Sequence, residues 1–305
     1  MVLEKVDFQK DIEGRIKIAK VKNFDVSKIF DCGQCFRFEP VLNTPHEAEF
    51  SGVAFGRFIS VAQDGDTVYI YNSSVSDFEN IWCRFLALDV DYDAVTDEIA
   101  SVSSNPALSR AIEHGRGIRI LRQEPWEAVC SFIISQNNNI PRIKKIISAL
   151  SKECGKPIDV PEALISHIAD VDALYSFPTP EAIIELGVDG LFELKTGFRA
   201  KYIYDAAAKV SEGVIDDDFL FLSASTEECI KHLSAIKGVG PKVASCALLF
   251  GYSRYDAFPI DVWIKKVIEK YFSFDEKKFT PDMLGRYAGI AQQYLFYYER
   301  YCEGR

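Results

Sequence analysis

Residues 233–246 read Leu233-Ser234-Ala235-Ile236-Lys237-Gly238-Val239-Gly240-Pro241-Lys242-Val243-Ala244-Ser245-Cys246. Two glycines flank one apolar residue, between a helical stripe that ends at Ile236 and a helix that Pro241 can start, since proline suits the first helical position. So short a connector makes a tight hairpin, and its glycines let backbone N–H groups approach a ligand closely. The next helix then presents its positive end, which suits a phosphate. Gly238, Val239 and Gly240 are therefore candidate phosphate contacts. The plainer reading, any helix–turn–helix with a glycine-rich connector, stays open on the hairpin alone.

Outward from the hairpin, Lys242 falls in the first helical turn, where the positive helix end disfavours a second positive charge. An uncharged amine there is a potential nucleophile, although a solvated surface lysine is the ordinary alternative. Asp261, in Phe258-Pro259-Ile260-Asp261, lies 19 residues beyond Lys242. It is a natural N-cap for a helix over 262–272, and a carboxylate held there stays ionised and can also assist proton transfer. Cys246 shares the helix face of Lys242, and Gln292 and Phe296 are one turn apart on a later helix.

Composition bounds these readings. With 305 residues, 48% apolar and 26% charged, the chain reads as a soluble globular protein of two or three packed units. No apolar run approaches the roughly 20 residues a bilayer requires. Residues 1–14 are mixed in charge and carry no signal segment, so the expectation is no membrane partner and an intracellular location: cytoplasmic and nucleoid-associated if prokaryotic, nuclear if eukaryotic. Eight cysteines are scattered rather than set out as a disulfide framework. Cys32 and Cys35 form a lone C-x-x-C, with no second pair at zinc spacing, so neither a metal nor a cofactor is expected. The net charge of -10 argues against indiscriminate coating of nucleic acid. Positive charge is nonetheless gathered locally: 114–145 carries six Lys/Arg against two acids, 195–209 four against one, and 231–242 three against none.

The first third reads as antiparallel sheet, with strands expected over 14–21, 35–39, 48–56, 57–62 and 67–72. From Asp77 the period becomes helical, with Phe78, Ile81, Trp82 and Phe85 on one face and mostly helix-forming residues over 93–113. Beyond Gly117 nearly everything reads as helix: Pro125 to Ser135, a helix from Pro141, then 162–175, 180–186, 199–211, 226–236, 243–250, 262–272 and 281–301. The expected fold is thus α+β, an antiparallel β-sheet domain with helices over 1–115, followed by an all-α region over 116–305 with its active site between two helical subdomains.

The hairpin followed by Asp261 resembles the helix-hairpin-helix DNA glycosylase superfamily, and lysine at 242 its bifunctional branch. Further stretches narrow the resemblance to 8-oxoguanine DNA glycosylases of the eukaryotic type: Gly33-Gln34-Cys35-Phe36-Arg37-Phe38, Leu121-Arg122-Gln123-Glu124-Pro125, Ser131 to Ile143 with its Gln136-Asn137-Asn138-Asn139 core, Phe198-Arg199-Ala200-Lys201-Tyr202 and Ala291-Gln292-Gln293-Tyr294-Leu295-Phe296. The match runs from about residue 30 to about residue 300.

The resemblance implies an enzyme that flips 8-oxoguanine out of damaged duplex DNA opposite cytosine. The Lys242 amine attacks C1′, and the abasic strand is then cleaved through a Schiff base. It implies that Phe296 and Cys246 sandwich the base, that Gln292 bonds its Watson–Crick edge, and that the Gly33 carbonyl accepts the N7–H that guanine lacks. Arg142 and Arg199 would read the orphaned cytosine, Asn137 adding a contact, Asn138 filling the vacated space and Phe198 acting as a wedge. A monomer is expected, and an amine mechanism needs no cofactor. One departure stands out: relatives commonly carry histidine where this chain has Trp263, which puts any phosphate or pocket contact from that position in doubt. The alternatives are a monofunctional or alkyl-base glycosylase on the same scaffold, and a non-catalytic hairpin module that only binds DNA.

Overall fold

The structure, a computed structural model, describes residues 6–11, 15–103, 105–223, 225–272 and 279–303. The described residues form six strands, β1 (Gln9–Lys10), β2 (Ile16–Ile18), β3 (Phe38–Pro40), β4 (Ala48–Ala54), β5 (Arg57–Asp64) and β6 (Thr67–Tyr71), the longer ones rich in β-branched and aromatic residues. They form one sheet in the order β1-β2-β6-β5-β4-β3, antiparallel throughout. Of the strand expected over 14–21, Gly14 lies outside the described residues and only Ile16–Ile18 is extended.

Register decides what each face of the sheet does. Phe50, Val61, Ile70 and Ile16 are partnered across four strands, so they share one face. They join Phe30, Phe78, Trp82 and Phe85 in a single apolar cluster beneath the helix Val26–Phe30, which the sequence reading missed, and the continuous helical run over 75–85, α then π then α, in line with the helical period expected from Asp77. The opposite face carries Glu49, Ser51, Ser60 and Tyr71. The segment after residue 155 covers it through polar bonds: His167 Nδ1 lies 2.5 Å from the Glu49 carboxylate, and the Ala169 N–H donates to Ser51 at 3.0 Å. Here one expectation is corrected. The helix read over 162–175 is instead two 3-10 turns, Glu162–His167 and Val171–Ala173, because the chain uses its polar groups on the sheet and Asp170 starts a separate turn.

The helices Pro125–Ser135, Ile140–Cys154, Ala200–Ser211, Thr226–Leu233, Pro241–Gly251 and Val262–Tyr271 fall close to their expected positions. The helix expected over 180–186 continues to Glu193 across a break at Gly187, and the short Asp217–Leu222 helix is an addition. The stretch read as one helix over 281–301 has three parts: a 3-10 turn Pro281–Tyr287, the α-helix Ala288–Tyr297, and a π-turn Tyr298–Glu303. Helices Tyr92–Val102 and Pro106–Gly115 share their core with this C-terminal stretch, Tyr92, Val95, Leu108 and Ala111 clustering with Ala291 and Tyr294. No helix among the described residues is long and apolar enough to cross a membrane.

Sheet and helices meet along the loop 31–37. Arg37 reaches Glu127 of the Pro125–Ser135 helix at 3.2 Å, with both side chains largely enclosed. Burial pushes the Glu127 carboxyl up to about 7, against the pull of Arg37. Cys32 and Cys35 are buried free thiols, and burial pushes Cys32 up to about 12. Among the described residues no group of His, Cys, Asp and Glu is arranged to hold a metal.

Candidate active site

A cleft of about 820 Å³ opens where the loop 31–37, the helix Pro241–Gly251 and the helix Ala288–Tyr297 converge. Its walls include Gly33, Asn137, Asn138, Phe198, Gly238, Gly240, Lys242, Cys246, Asp261, Gln292 and Phe296, which the chain supplies from six separate stretches. Val239, Arg142 and Arg199 are not on the wall.

Lys242 is half-buried in the first turn of its helix, its Nζ 5.8 Å from the centre of the Phe132 ring. Asp261 caps the Val262–Tyr271 helix, as its position in the sequence implies: Oδ1 accepts from the N–H of Trp263 at 2.9 Å and of Ile264 at 2.8 Å. Both groups act on the Cys246 thiol. Burial pushes that thiol up, the Lys242 ammonium pulls it down, and the Asp261 carboxylate adds to the rise. Amine, carboxylate and thiol thus occupy one electrostatic neighbourhood. Trp263 lines the same cleft, stacked under the Lys266 ammonium at 4.8 Å.

Cys246, Gln292 and Phe296 line the same cleft. Gln292 is only 5% exposed there, and its Oε1 is buried with no hydrogen-bond partner among the described residues. A buried, unpaired amide oxygen costs about 1–3 kcal/mol, so one in a cleft wall suggests a donor on a ligand. Gly33 holds φ +81, a conformation that disfavours any side chain, and a Cβ built on it would sit 3.8 Å from Phe296 Cε1. Its loop is fixed from three sides. The Gln34 side chain donates to the Ile29 and Arg119 carbonyls and accepts from the Leu121 N–H, Gln123 donates to the Gln34 carbonyl, and Gln293 donates to the Cys32 carbonyl at 2.9 Å. The sequence reading quoted Gln34 and Gln293 within motifs without assigning them this work.

Across the cleft, the turn after the Pro125–Ser135 helix places Asn137 exposed at φ +46. Asn138 folds back, its Nδ2 donating to the Ile134 carbonyl at 3.1 Å, while Asn139 caps the helix that carries Arg142. Arg142 is exposed, its guanidinium 3.4 Å from the Lys195 carbonyl. Arg199, which the resemblance implies as a reader of the orphaned cytosine, is buried behind the asparagine turn. At 3% exposure it donates to the carbonyls of Thr196, Gln136 and Asn137, so here it holds the asparagine turn in place. Burial and the nearby Arg142 charge hold its pKa below the usual arginine value. Phe198 beside it is 52% exposed, with the Arg199 guanidinium stacked on the back of its ring at 4.4 Å.

The hairpin turn follows from its residues. Gly238 adopts φ +77, and a Cβ there would fall 2.4 Å from the Tyr202 ring. The helix that starts at Pro241 has no side-chain cap, which leaves the N–H groups of its first turn free for an outside acceptor. Asp205 buttresses the hairpin by accepting from the Lys237 N–H at 2.7 Å.

One wall residue was missed entirely. Arg300 lines the cleft beside Gly33 and Phe296. The signal was available, because Gln292, Phe296 and Arg300 are spaced by four and trace one helical stripe.

Comparison with known proteins shows what the chain as a whole resembles. Residues 16–129 match the family model "8-oxoguanine DNA glycosylase, N-terminal domain", and residues 130–287 match "HhH-GPD superfamily base excision DNA repair protein". An N-glycosylase/DNA lyase of Saccharomyces cerevisiae is 35% identical over 205 residues, which cover 64% of this chain and 52% of the yeast protein; the match thus spans about half the length of that relative. The solved structure of MBOgg1 in complex with a low-affinity DNA ligand superposes with a TM-score of 0.86 at 38% identity, covering 99% of this chain and 100% of that one. An 8-oxoguanine glycosylase/lyase of Clostridium acetobutylicum, bound to double-stranded DNA with cytosine opposite 8-oxoG, gives 0.84 at 34% identity, covering 98% and 99% of the two chains.

Proposed function

Because the chain belongs to the HhH-GPD superfamily of base excision DNA repair proteins and carries an 8-oxoguanine DNA glycosylase N-terminal domain, we propose that it excises 8-oxoguanine opposite cytosine from duplex DNA and then nicks the abasic strand. The observation that carries this reading is the convergence of Lys242, Asp261 and the unpaired Gln292 oxygen on one cleft.

In this mechanism the hairpin and the uncapped helix start hold a backbone phosphate, Phe198 enters the stack, and the damaged nucleotide swings into the cleft. Its base lies between Cys246 and Phe296, its Watson–Crick N–H groups meet Gln292 Oε1, and its N7–H meets the Gly33 carbonyl. Guanine offers that carbonyl a lone pair instead, a mismatch of about 1–3 kcal/mol. Lys242 Nζ, once deprotonated, bonds to C1′ as the C1′–N9 bond breaks, and the proton that Nζ then sheds leaves with the base. Asp261, on the same cleft wall as Lys242, stabilises the positive charge that develops on the sugar. Opening of the sugar ring gives a Schiff base to Nζ. Loss of a C2′ proton then expels the 3′ phosphate. Arg142 and Asn137, both exposed across the cleft, meet the O2 and N3 acceptors of the orphaned cytosine, with Arg199 behind them holding the turn. The relative from Clostridium acetobutylicum, bound to cytosine opposite 8-oxoG, supports this choice of partner base. All the groups named come from one chain, so a monomer suffices.

Borohydride should trap a covalent protein–DNA adduct on an 8-oxoguanine duplex, and Lys242→Gln should abolish it. Adduct that survives the substitution refutes Lys242 as the nucleophile. Arg142→Ala should relax the preference for cytosine over the other three opposite bases; an unchanged preference removes Arg142 from that role.

A further inference from the structure

Arg300 lies in the π-turn Tyr298–Glu303, one step past the helix that carries Gln292 and Phe296. Single π-turns often re-aim a side chain at a functional site. The Arg300 guanidinium lies over two aromatic rings, its carbon 5.6 Å from the centre of Phe296 and 5.2 Å from that of Tyr301. A Cβ built on Gly33 would be 4.0 Å from Arg300 Nη1, so the guanidinium and the Gly33 backbone occupy the same part of the wall. Arg300 forms no hydrogen bond or ion pair among the described residues, whereas the nearby buried arginines are engaged, Arg37 by Glu127 and Arg199 by carbonyls. A half-buried guanidinium in a cleft, with no ion pair among the described residues, has unused donors for a ligand acceptor.

We infer that Arg300 is a specificity-determining contact that donates a hydrogen bond to O8 of the flipped base. This rests on the proposed reading of the cleft as an 8-oxoguanine site. The oxidised edge of the base presents a donor and an acceptor side by side, N7–H and C8=O. The wall presents the complementary pair, the Gly33 carbonyl and the Arg300 N–H. Undamaged guanine offers an acceptor at N7 and only C–H at C8, so both halves of the pair are mismatched at once. A planar fork lying over two rings gives up little freedom in making this contact, and a lysine could not reproduce it.

The test separates base readout from phosphate binding. Arg300→Ala should lower single-turnover excision of 8-oxoguanine by about 10- to 100-fold. Nicking of a duplex with a preformed abasic site, and affinity for a duplex carrying a tetrahydrofuran abasic analogue, should stay within about twofold of wild type, since neither contains the base. Arg300→Lys should resemble Arg300→Ala. Equal losses on all three duplexes, or recovery by lysine, would identify a phosphate contact and overturn the inference, as would full excision by Arg300→Ala. A wild-type chain that leaves 8-oxoguanine in place refutes the parent reading as well, whereas the other outcomes leave it standing.

Discussion

Replacing Gln292 by Met should make the protein more stable and less able to bind its base. Gln292 Oε1 is buried without a partner, so the folded protein bears the desolvation of an amide oxygen, about 1–3 kcal/mol. Methionine has a similar length, no polar atom and enough flexibility to fill the same space. At roughly 2 cal/mol/K per residue, a chain of this length unfolds with an entropy of about 0.6 kcal/mol/K, so the relief corresponds to about 2–5 °C in Tm. The same change leaves the Watson–Crick edge of a flipped base unmatched, which should weaken binding about 5- to 150-fold. Scanning calorimetry of the free protein reads the first effect. The affinity for a duplex carrying a non-hydrolysable 2′-fluoro 8-oxoguanine nucleotide, measured at fixed salt, reads the second. An unchanged or lower Tm would mean that the oxygen is not stranded in the free protein. A higher Tm with undiminished affinity would mean that it is stranded for some reason other than the base.

Gly238→Ala should cost DNA affinity, because it forces a Cβ into left-handed backbone 2.4 Å from the Tyr202 ring. Strain of about 1–2 kcal/mol implies roughly 5- to 30-fold weaker binding for Gly238→Ala by fluorescence anisotropy, and equal affinities would refute the hairpin's role. Glu127 supplies a pH dependence. Its folded pKa of about 7 lies above the usual glutamate value, so the folded state binds the extra proton and stability should fall as pH rises from about 4.5 through 7. Denaturant titrations across that window should flatten in Glu127→Gln; an unchanged slope would place the titrating group elsewhere.

Much of the site was legible along the chain because its signals are local. The hairpin could be read at Gly238-Val239-Gly240 because a left-handed position and a proline-started helix are properties of neighbouring residues. The cap at Asp261 followed from its place before a helical stripe. Arg199 shows where local reading stops. Nothing at Phe198-Arg199 says that the guanidinium turns back onto the Gln136 and Asn137 carbonyls, more than sixty residues away, because that depends on how two helices meet. The 162–175 stretch failed for a related reason: its helix-forming residues met a polar sheet face that took their hydrogen bonds.

The sequence by itself determined that a sheet precedes a helical region, where most helices begin, and which residue types carry the chemistry, since backbone propensity, periodicity and capping act over a few residues. Only the tertiary structure decided that Gly33, from the sheet side, stands beside Phe296 and Arg300 from the far end of the chain, and that among the described residues the Gln292 oxygen has no hydrogen-bond partner and Arg300 no ion pair. Those facts depend on which distant surfaces are packed together and on what that packing leaves unpaired, and no stretch of sequence contains both sides of such a contact.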